Sequence, residues 1–189
     1  MLVLASSSPR RRALLEQVGI PHVVHPAEID ESRLEGATPR EHAERLAREK
    51  ARVVSERMEG FVLGADTVVV VEGELLEKPA DDRDAERMIG RLAGRVHEVF
   101  TAVALAKSGE ILESQVHVAK VRFRPLDPDT VRRYVATGEG RDKAGAYGVQ
   151  GVGAGLVESI EGDYGTVVGL PLAPVILLLE RHGAIGAWP

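Results

Sequence analysis

The first twenty residues combine an apolar run with a polar junction. Residues 2–5 are short and apolar, which predicts a buried strand. Ser8 and Pro9 follow and predict the N-cap and first residue of a helix, because proline lacks the N–H that this position leaves unbonded. We expect that helix to end near Val18, before Gly19.

Capping signals and apolar periodicity predict further helices. Thr38 and Glu41 form a capping box with proline between them at the first helical position. Four more helices are predicted: from this box through Val54; from Asp81 or Asp82 to Gly94, with an apolar stripe of Ala85, Met88, Ile89 and Leu92; around Val131, Tyr134 and Val135, ended by Gly138; and over residues 170–181.

Runs of branched apolar residues predict the strands. The stretch FVLGADTVVVVEG (61–73) predicts a strand with a glycine break in its middle. Residues 99–106 and 111–123 predict two strands joined by a turn, and two more are expected on either side of residues 161–163. Since hairpins and helices alternate, we predict an α/β fold in which helices flank a mixed, twisted sheet, forming a single domain over residues 1–189.

Composition excludes several classes of site. The chain has no cysteine, so disulfides, thiolate catalysis and Cys-ligated zinc are excluded, and we expect a cytoplasmic protein. A formal charge of -5 and only 4% aromatic residues argue against a surface that binds nucleic acid. We also expect no membrane span. His22 and His25 stand three residues apart but do not suggest a metal cluster.

The junction SSSPRRR (residues 6–12) is the first candidate site. The N-terminus of a helix carries unpaired N–H groups and the positive end of the helix dipole. Serine hydroxyls and arginines beside it would complete an anion site, most naturally for phosphates. The alternative is an ordinary capped helix with solvated arginines. No Walker A loop is present.

Two carboxylates are further candidates. Asp66 lies inside an apolar strand, where a carboxylate is disfavoured unless a metal, an activated water or a cation accompanies it. A functional role is favoured, although a pairing with arginine or a turn cap is the alternative. Glu31 lies in the acidic stretch EIDES, for which a solvated turn is the simplest interpretation.

The stretch RDKAGAYGVQGVGAG (141–155) is the strongest compositional anomaly. Its five glycines would let the backbone approach a ligand closely, and Lys143 and Gln150 lie among them. The Rossmann fingerprint is absent, because the GxGxxG spacing does not occur. Tyr147 could stack on a base, but a core tyrosine is favoured. Lys78, just before a proline, would ordinarily be solvated.

Taken together, these segments resemble the Maf family of nucleoside triphosphate pyrophosphatases. The resemblance runs from about residue 2 to residue 172, and it departs only slightly, at Ser7 and the third arginine, Arg12. The matching segments are LASSSPRRRALLEQVG, RLAREKA, GADTVVV, LEKP, GRVHEVFTAVAL, DKAGAYGVQG and DYGTVVGLP. The resemblance implies a Maf/inosine-triphosphatase-like fold with two lobes and a central cleft. It also implies a divalent cation and hydrolysis of a nucleoside triphosphate at the α-phosphorus to the monophosphate and diphosphate.

The resemblance also implies roles for single residues. The form DKAGAYGVQG resembles the branch selective for dTTP and UTP. Asp66 corresponds to the proton acceptor, and Arg10, Thr67 and Gln150 fall on positions tied to base selectivity. Polar cleft positions are matched by Ser8, Arg11, Glu31, Lys50, Lys78 and Lys143. Asp66 and Glu31 are the carboxylates expected at a metal; with no cysteine, the available oxygen ligands suit Mg²⁺ or Mn²⁺.

Two other functions stay open at this point. The chain could be a nucleotide-binding regulator of septum formation with little turnover, or a nucleic-acid-binding protein that uses residues 10–12. We expect a nucleotide partner, with no nucleic acid and no membrane, and leave a homodimer open. The sequence does not separate the base and metal-ligand roles of Asp66, nor canonical from modified pyrimidines.

Overall fold

The computed structural model describes all 189 residues, which form seven strands and six helices. The strands are β1 Leu2–Leu4, β2 Val23–Val24, β3 Phe61–Val71, β4 Glu74–Leu76, β5 Val96–Lys107, β6 Glu110–Phe123 and β7 Val157–Glu161. The helices are α1 Pro9–Gln17, α2 Pro39–Ser55, α3 Asp82–Leu92, α4 Pro128–Ala136, α5 Tyr164–Val168 and α6 Leu172–Arg181. Two short 3-10 helices, Ala144–Ala146 and Val152–Leu156, interrupt the glycine-rich stretch.

All seven strands belong to one mixed sheet. Its order is β2-β1-β3-β5-β6-β7, with β4 paired to β3. Strand β1 lies parallel to both β2 and β3, whereas β4 and β7 pair antiparallel with β3 and β6. The predicted α/β fold with a mixed sheet and flanking helices is therefore confirmed.

The chain divides into two compact units, each built from separate segments. The first comprises Met1–Asp66, Thr101–His117 and Gly169–Pro189, and the second comprises Thr67–Phe100 and Val118–Val168. The chain passes from the first to the second within β3, between Asp66 and Thr67. None of the helices is both long enough and apolar enough to span a membrane.

Helix capping follows the sequence closely. Ser8 is the N-cap of α1, Thr38 forms the complete capping box of α2, and Asp81 caps α3. Their side-chain oxygens accept N–H groups that the first helical turn would otherwise leave unbonded. The predicted stripe on α3 is also confirmed, since Ala85, Met88, Ile89 and Leu92 are all buried.

Two predicted details are wrong. Strand β3 runs without a break through Gly64, whose lack of a side chain serves packing instead. Residues after 163 form α5 and not a strand, because Asp163 caps this segment. Its carboxylate accepts the Thr166 N–H at 2.6 Å and the Thr166 hydroxyl at 3.0 Å.

Candidate active site

A helix packed closely on β3 places Asp66. Side chains alternate along a strand, so Gly64 and Asp66 share one face. A Cβ atom on Gly64 would lie only 2.2 Å from the carbonyl oxygen of Ala47, so only glycine lets α2 approach this closely. Lys50, one turn along α2 from Ala47, thereby meets Asp66: its Nζ lies 2.8 Å from Asp66 Oδ1.

Glu31 completes a three-residue ion cluster. Its Oε1 lies 2.7 Å from Lys50 Nζ, so one ammonium group bridges two carboxylates from a loop and a strand. Asp66 and Lys50 are buried, with 8% of each residue exposed, whereas the Glu31 side chain is 49% exposed. The structure thus brings together three residues predicted for the site, and Glu31 is more than part of a solvated turn.

The serines and Arg11 form a second network at the start of α1. The Ser6 hydroxyl oxygen accepts the Ser8 N–H at 3.2 Å and Arg11 Nη1 at 3.2 Å. Arg11 Nε donates to the Gly169 carbonyl at 2.8 Å, while the Ser8 cap to Arg11 N is long, at 3.5 Å. A capped helix with solvated arginines is therefore only part of the description, because Arg11 is 9% exposed.

The charge environment of Arg11 links the two networks. Burial lowers the pKa of its guanidinium group, and the positive charge of Arg10 adds to that effect. The carboxylates of Asp66 and Glu31 act in the opposite direction. The first unit therefore holds two buried cations, Arg11 and Lys50, close to the carboxylates of Asp66 and Glu31. An anionic ligand would add negative charge to this cluster and so change its electrostatic energy strongly.

The donor chemistry fits a hard divalent cation. Two carboxylate oxygens, from Asp66 and Glu31, already converge on a single positive charge. Carboxylate oxygens are the protein ligands that Mg²⁺ and Mn²⁺ prefer, and Mg²⁺ is commonly held by one or two carboxylates plus substrate phosphates and water. No group of three or more His, Cys, Asp or Glu side chains in the chain is placed to hold a metal.

Arg10 lies on α1 in the first unit, and the other remaining predicted residues lie in the second unit. Alternation along β3 puts Thr67 on the face of Val69, against which Gly145 packs. The Gly145 N–H donates to the Glu77 carbonyl at 3.2 Å, which brings the KAGAYG segment beside the residue that precedes Lys78. Lys78 itself is exposed.

Lys143 and Gln150 differ in their surroundings. The Lys143 ammonium donates to the Glu139 carbonyl and lies 2.6 Å from Asp142 Oδ1, so part of its charge is compensated locally. Gln150 is exposed, between the two 3-10 helices. Tyr147 is a core residue, 6% exposed and hydrogen-bonded to His97 at 2.8 Å, as favoured from the sequence.

Two functional candidates were not predicted. Ser6 anchors Arg11, yet nothing in a run of three serines distinguishes the one that faces the interior. Glu139 holds the glycine-rich stretch through two hydrogen bonds and also accepts one from Tyr134 on α4. The only available signal was its place just before that stretch, in the sequence TGEGRDK.

A carboxylate is costly to bury unless a cation pairs with it, so the buried Asp66–Lys50 pair marks this region as a candidate functional site. Residues 1–182 match the family described as "Maf-like protein", and the chain therefore belongs to the Maf family.

Curated relatives agree with this assignment. The dTTP/UTP pyrophosphatase of Symbiobacterium thermophilum is 55% identical over 183 residues, covering 96% of this chain and 94% of the relative. The protein of the same name from Moorella thermoacetica is 50% identical, covering 99% and 97%. Among solved structures, the Staphylococcus aureus Ham1 protein is 15% identical, with a TM-score of 0.47 and 96% coverage of each chain.

Proposed function

We propose that this protein hydrolyses dTTP and UTP at the α-phosphorus, giving the nucleoside monophosphate and diphosphate. The observation that carries the proposal is the ion cluster of Glu31, Lys50 and Asp66, in which Lys50 and Asp66 are buried and whose carboxylates act on the charge of Arg11. The names of the relatives, dTTP/UTP pyrophosphatase, support the activity and the pyrimidine preference. A clearing role for non-canonical or excess pyrimidine nucleotides is consistent with that activity.

Asp66 has the chemistry of a general base. Its carboxylate can orient a water molecule and accept a proton as the water oxygen attacks phosphorus. Lys50 holds that carboxylate in place at 2.8 Å and adds positive charge beside the reacting group. Charge neutralisation and positioning dominate phosphoryl-transfer catalysis, so a cation and a carboxylate held together suit the reaction.

Hydrogen-bond donors, most of them cations, are proposed to bind the phosphates of the substrate. We assign Ser8, Arg11, Lys78 and Lys143 to the phosphate chain, because each offers hydrogen-bond donors that do not depend on the base. A divalent cation, Mg²⁺ or Mn²⁺, would be held by Asp66 and Glu31. When bound, it would neutralise negative charge on the phosphate oxygens.

Gln150 is the proposed reader of the base. Uracil and thymine present O4 as an acceptor and N3–H as a donor, and one glutamine amide can satisfy both. Cytosine reverses this pattern, so rejecting it requires an amide whose orientation is fixed. Arg10 and Thr67 are also assigned to base selectivity.

The regulator alternative is not favoured, because the curated relatives are named as pyrophosphatases. The cytoplasmic location, the homodimer and the cleft between two lobes stay predictions.

A nucleotide panel tests the proposed function. Purified protein is incubated with dTTP, UTP, CTP, ATP and GTP, and diphosphate, orthophosphate and nucleotide products are quantified. We expect intact diphosphate and monophosphate from dTTP and UTP, no activity in EDTA, and recovery on adding Mg²⁺. Accumulation of the nucleoside diphosphate with orthophosphate would refute this reaction class, and a preference for GTP would refute the assigned branch.

A further inference from the structure

The side-chain carboxylate of Glu139 holds the glycine-rich loop, defined here as residues 145–155. Glu139 Oε1 accepts the N–H of Val152 at 2.7 Å, and Oε2 accepts the N–H of Gly153 at 2.8 Å. Oε2 also accepts the Tyr134 hydroxyl at 2.8 Å, and that hydroxyl oxygen accepts the Gly148 N–H at 3.0 Å. Glu139 therefore bonds the loop directly after residue 150, and it reaches the side before residue 150 only through Tyr134.

The chemistry of these contacts requires a carboxylate. Three donors converge on its two oxygens, and hydrogen bonds to an ionised acceptor are roughly twice as strong as neutral ones. Burial raises the pKa of Tyr134, and its hydrogen bond to Glu139 raises it further, so the hydroxyl stays a donor. A glutamine at position 139 would offer only one acceptor oxygen in place of two.

The glycines make room for this carboxylate. A Cβ atom on Gly151 would lie 1.7 Å from Glu139 Oε1. A Cβ atom on Gly153 would lie 2.3 Å from the Gly148 carbonyl oxygen and 2.9 Å from the Tyr134 hydroxyl. At these two positions the missing side chains leave room for Glu139, Tyr134 and the backbone of Gly148.

Gln150 is exposed and lies between Gly148 and Val152, whose backbone N–H groups are bonded to Tyr134 and Glu139. Its amide can distinguish uracil from cytosine only if its orientation is fixed, because a freely turning amide satisfies either base. The backbone on both sides of it is fixed by Glu139 and Tyr134.

We propose that Glu139 is a positioning residue for base selectivity, which holds the loop so that Gln150 presents one fixed donor–acceptor pattern. This inference rests on the proposed function, in which Gln150 reads the base. Glu139 does not touch the substrate and acts through the backbone of residues 148–153.

The test compares Glu139→Gln with Glu139→Asp, Tyr134→Phe and a matched surface control, Glu158→Gln on the exposed part of β7. For each variant, kcat and KM are measured on dTTP, UTP and CTP. We expect Glu139→Gln to lower kcat/KM for dTTP and UTP about tenfold while leaving CTP nearly unchanged, since partners left unsatisfied in a polar site cost about this factor. Tyr134→Phe should shift the ratio in the same direction by less, and it serves where Glu139→Gln does not fold. Glu139→Asp should restore part of the preference, and Glu158→Gln should match the wild type.

A second readout separates this inference from the proposed function. Amide hydrogen exchange over residues 148–153 should accelerate at least about tenfold in Glu139→Gln, as expected when a local hydrogen-bonded unit opens more easily. An unchanged preference for dTTP and UTP, or equal losses on all three nucleotides, would overturn the positioning role. Wild-type protein that fails to hydrolyse dTTP and UTP would refute the proposed function instead, whatever the exchange rates of the variant.

Discussion

Two regions of the molecule that carry predicted site residues are built in opposite ways. The ion cluster of Glu31, Lys50 and Asp66 consists of side-chain charges, two of them on regular elements, α2 and β3. In the glycine-rich loop the groups that make the contacts are instead mainly backbone N–H groups. The carboxylate of Glu139 accepts hydrogen bonds from two of them. The first arrangement is set by helix-on-sheet packing, and the second by a hydrogen-bonded brace.

The difference teaches which changes each region should tolerate. Charges on rigid elements act on any triphosphate, so altering them should reduce turnover regardless of base. A braced backbone fixes the orientation of one side chain, so altering it should change the preference between bases. A substitution in the ion cluster that changes base preference would contradict this division. So would a substitution in the brace that slows all nucleotides equally.

The largest effect is expected at Asp66. Asp66→Asn retains an oxygen that can accept from Lys50, but an amide cannot take a proton from water or neutralise a metal ion. We expect turnover to fall at least about a hundredfold on every accepted nucleotide, with the melting temperature little changed. Steady-state kinetics and thermal melting measure the two quantities.

The matched control for Asp66→Asn is Asp129→Asn, which changes an exposed carboxylate on α4. It should keep wild-type turnover. Near-normal turnover in Asp66→Asn with unchanged melting would remove Asp66 from the catalytic role.

Gln150 should give the next largest effect. Gln150→Ala removes the only side-chain amide in the loop. We expect kcat/KM for dTTP and UTP to fall roughly ten- to a hundredfold and the preference for them over CTP to become smaller. Val152→Ala is the control, because it shortens an exposed side chain on the same loop but keeps the N–H that Glu139 accepts. Equal losses on every nucleotide would mean that Gln150 supports the loop and does not read the base.

Lys143 lies in the loop region but is expected to behave like the ion cluster. Lys143→Ala should lower kcat/KM about tenfold for all triphosphates alike, which is the scale of one charge-assisted hydrogen bond. Lys120→Ala, on an exposed lysine of β6, should have no effect. A change confined to base preference would show instead that the Lys143 contact with the Glu139 carbonyl matters more than any phosphate contact.

Most of the fold followed from local signals in the sequence. Ser8, Thr38 and the apolar stripe of α3 predicted their helices because caps and periodicity act within a few residues. Position 64 was misjudged because a strand glycine can mark either a break or a close neighbour. The neighbour, α2, comes earlier in the chain and meets it only in the folded structure.

The candidate site was predictable as a set of residues but not as an arrangement. The apolar strand around Asp66 marked that residue as functional, and the family resemblance added Glu31 and Lys50 to the site. Their shared ammonium contact depends on tertiary packing. Glu139 was missed because its role is visible only once the backbone of residues 152 and 153 folds onto it. Helix caps bond backbone groups within a few residues and can be predicted, whereas a side chain that bonds backbone groups more than ten residues away leaves little trace in a single sequence.

The last prediction concerns stability and not turnover: it is the effect of pH on the start of the glycine-rich loop, at Tyr147. His97 is 1% exposed, its Nε2 meets the Tyr147 hydroxyl at 2.8 Å, and its ring packs edge-on against Phe123. Burial lowers the pKa of His97 from 6.5 to about 4. Between these two values the unfolded chain takes up a proton that the folded chain excludes, so stability is complete above pH 6.5 and falls as the pH drops toward 4.

The expected loss by pH 4 is on the order of 3 kcal/mol, or several degrees in melting temperature. Melting at pH 7 and pH 4 is compared for the wild type, Tyr147→Phe and the double variant His97→Phe/Tyr147→Phe. The double variant keeps two packed rings without a polar pair, so it should lose several degrees less on acidification than the wild type. Tyr147→Phe retains His97 and should keep the full pH dependence. If all three proteins lose the same amount, His97 does not couple this region to pH. If the double variant alone is protected, the start of the glycine-rich loop rests on an uncharged His97, in contrast to the charged cluster at Asp66.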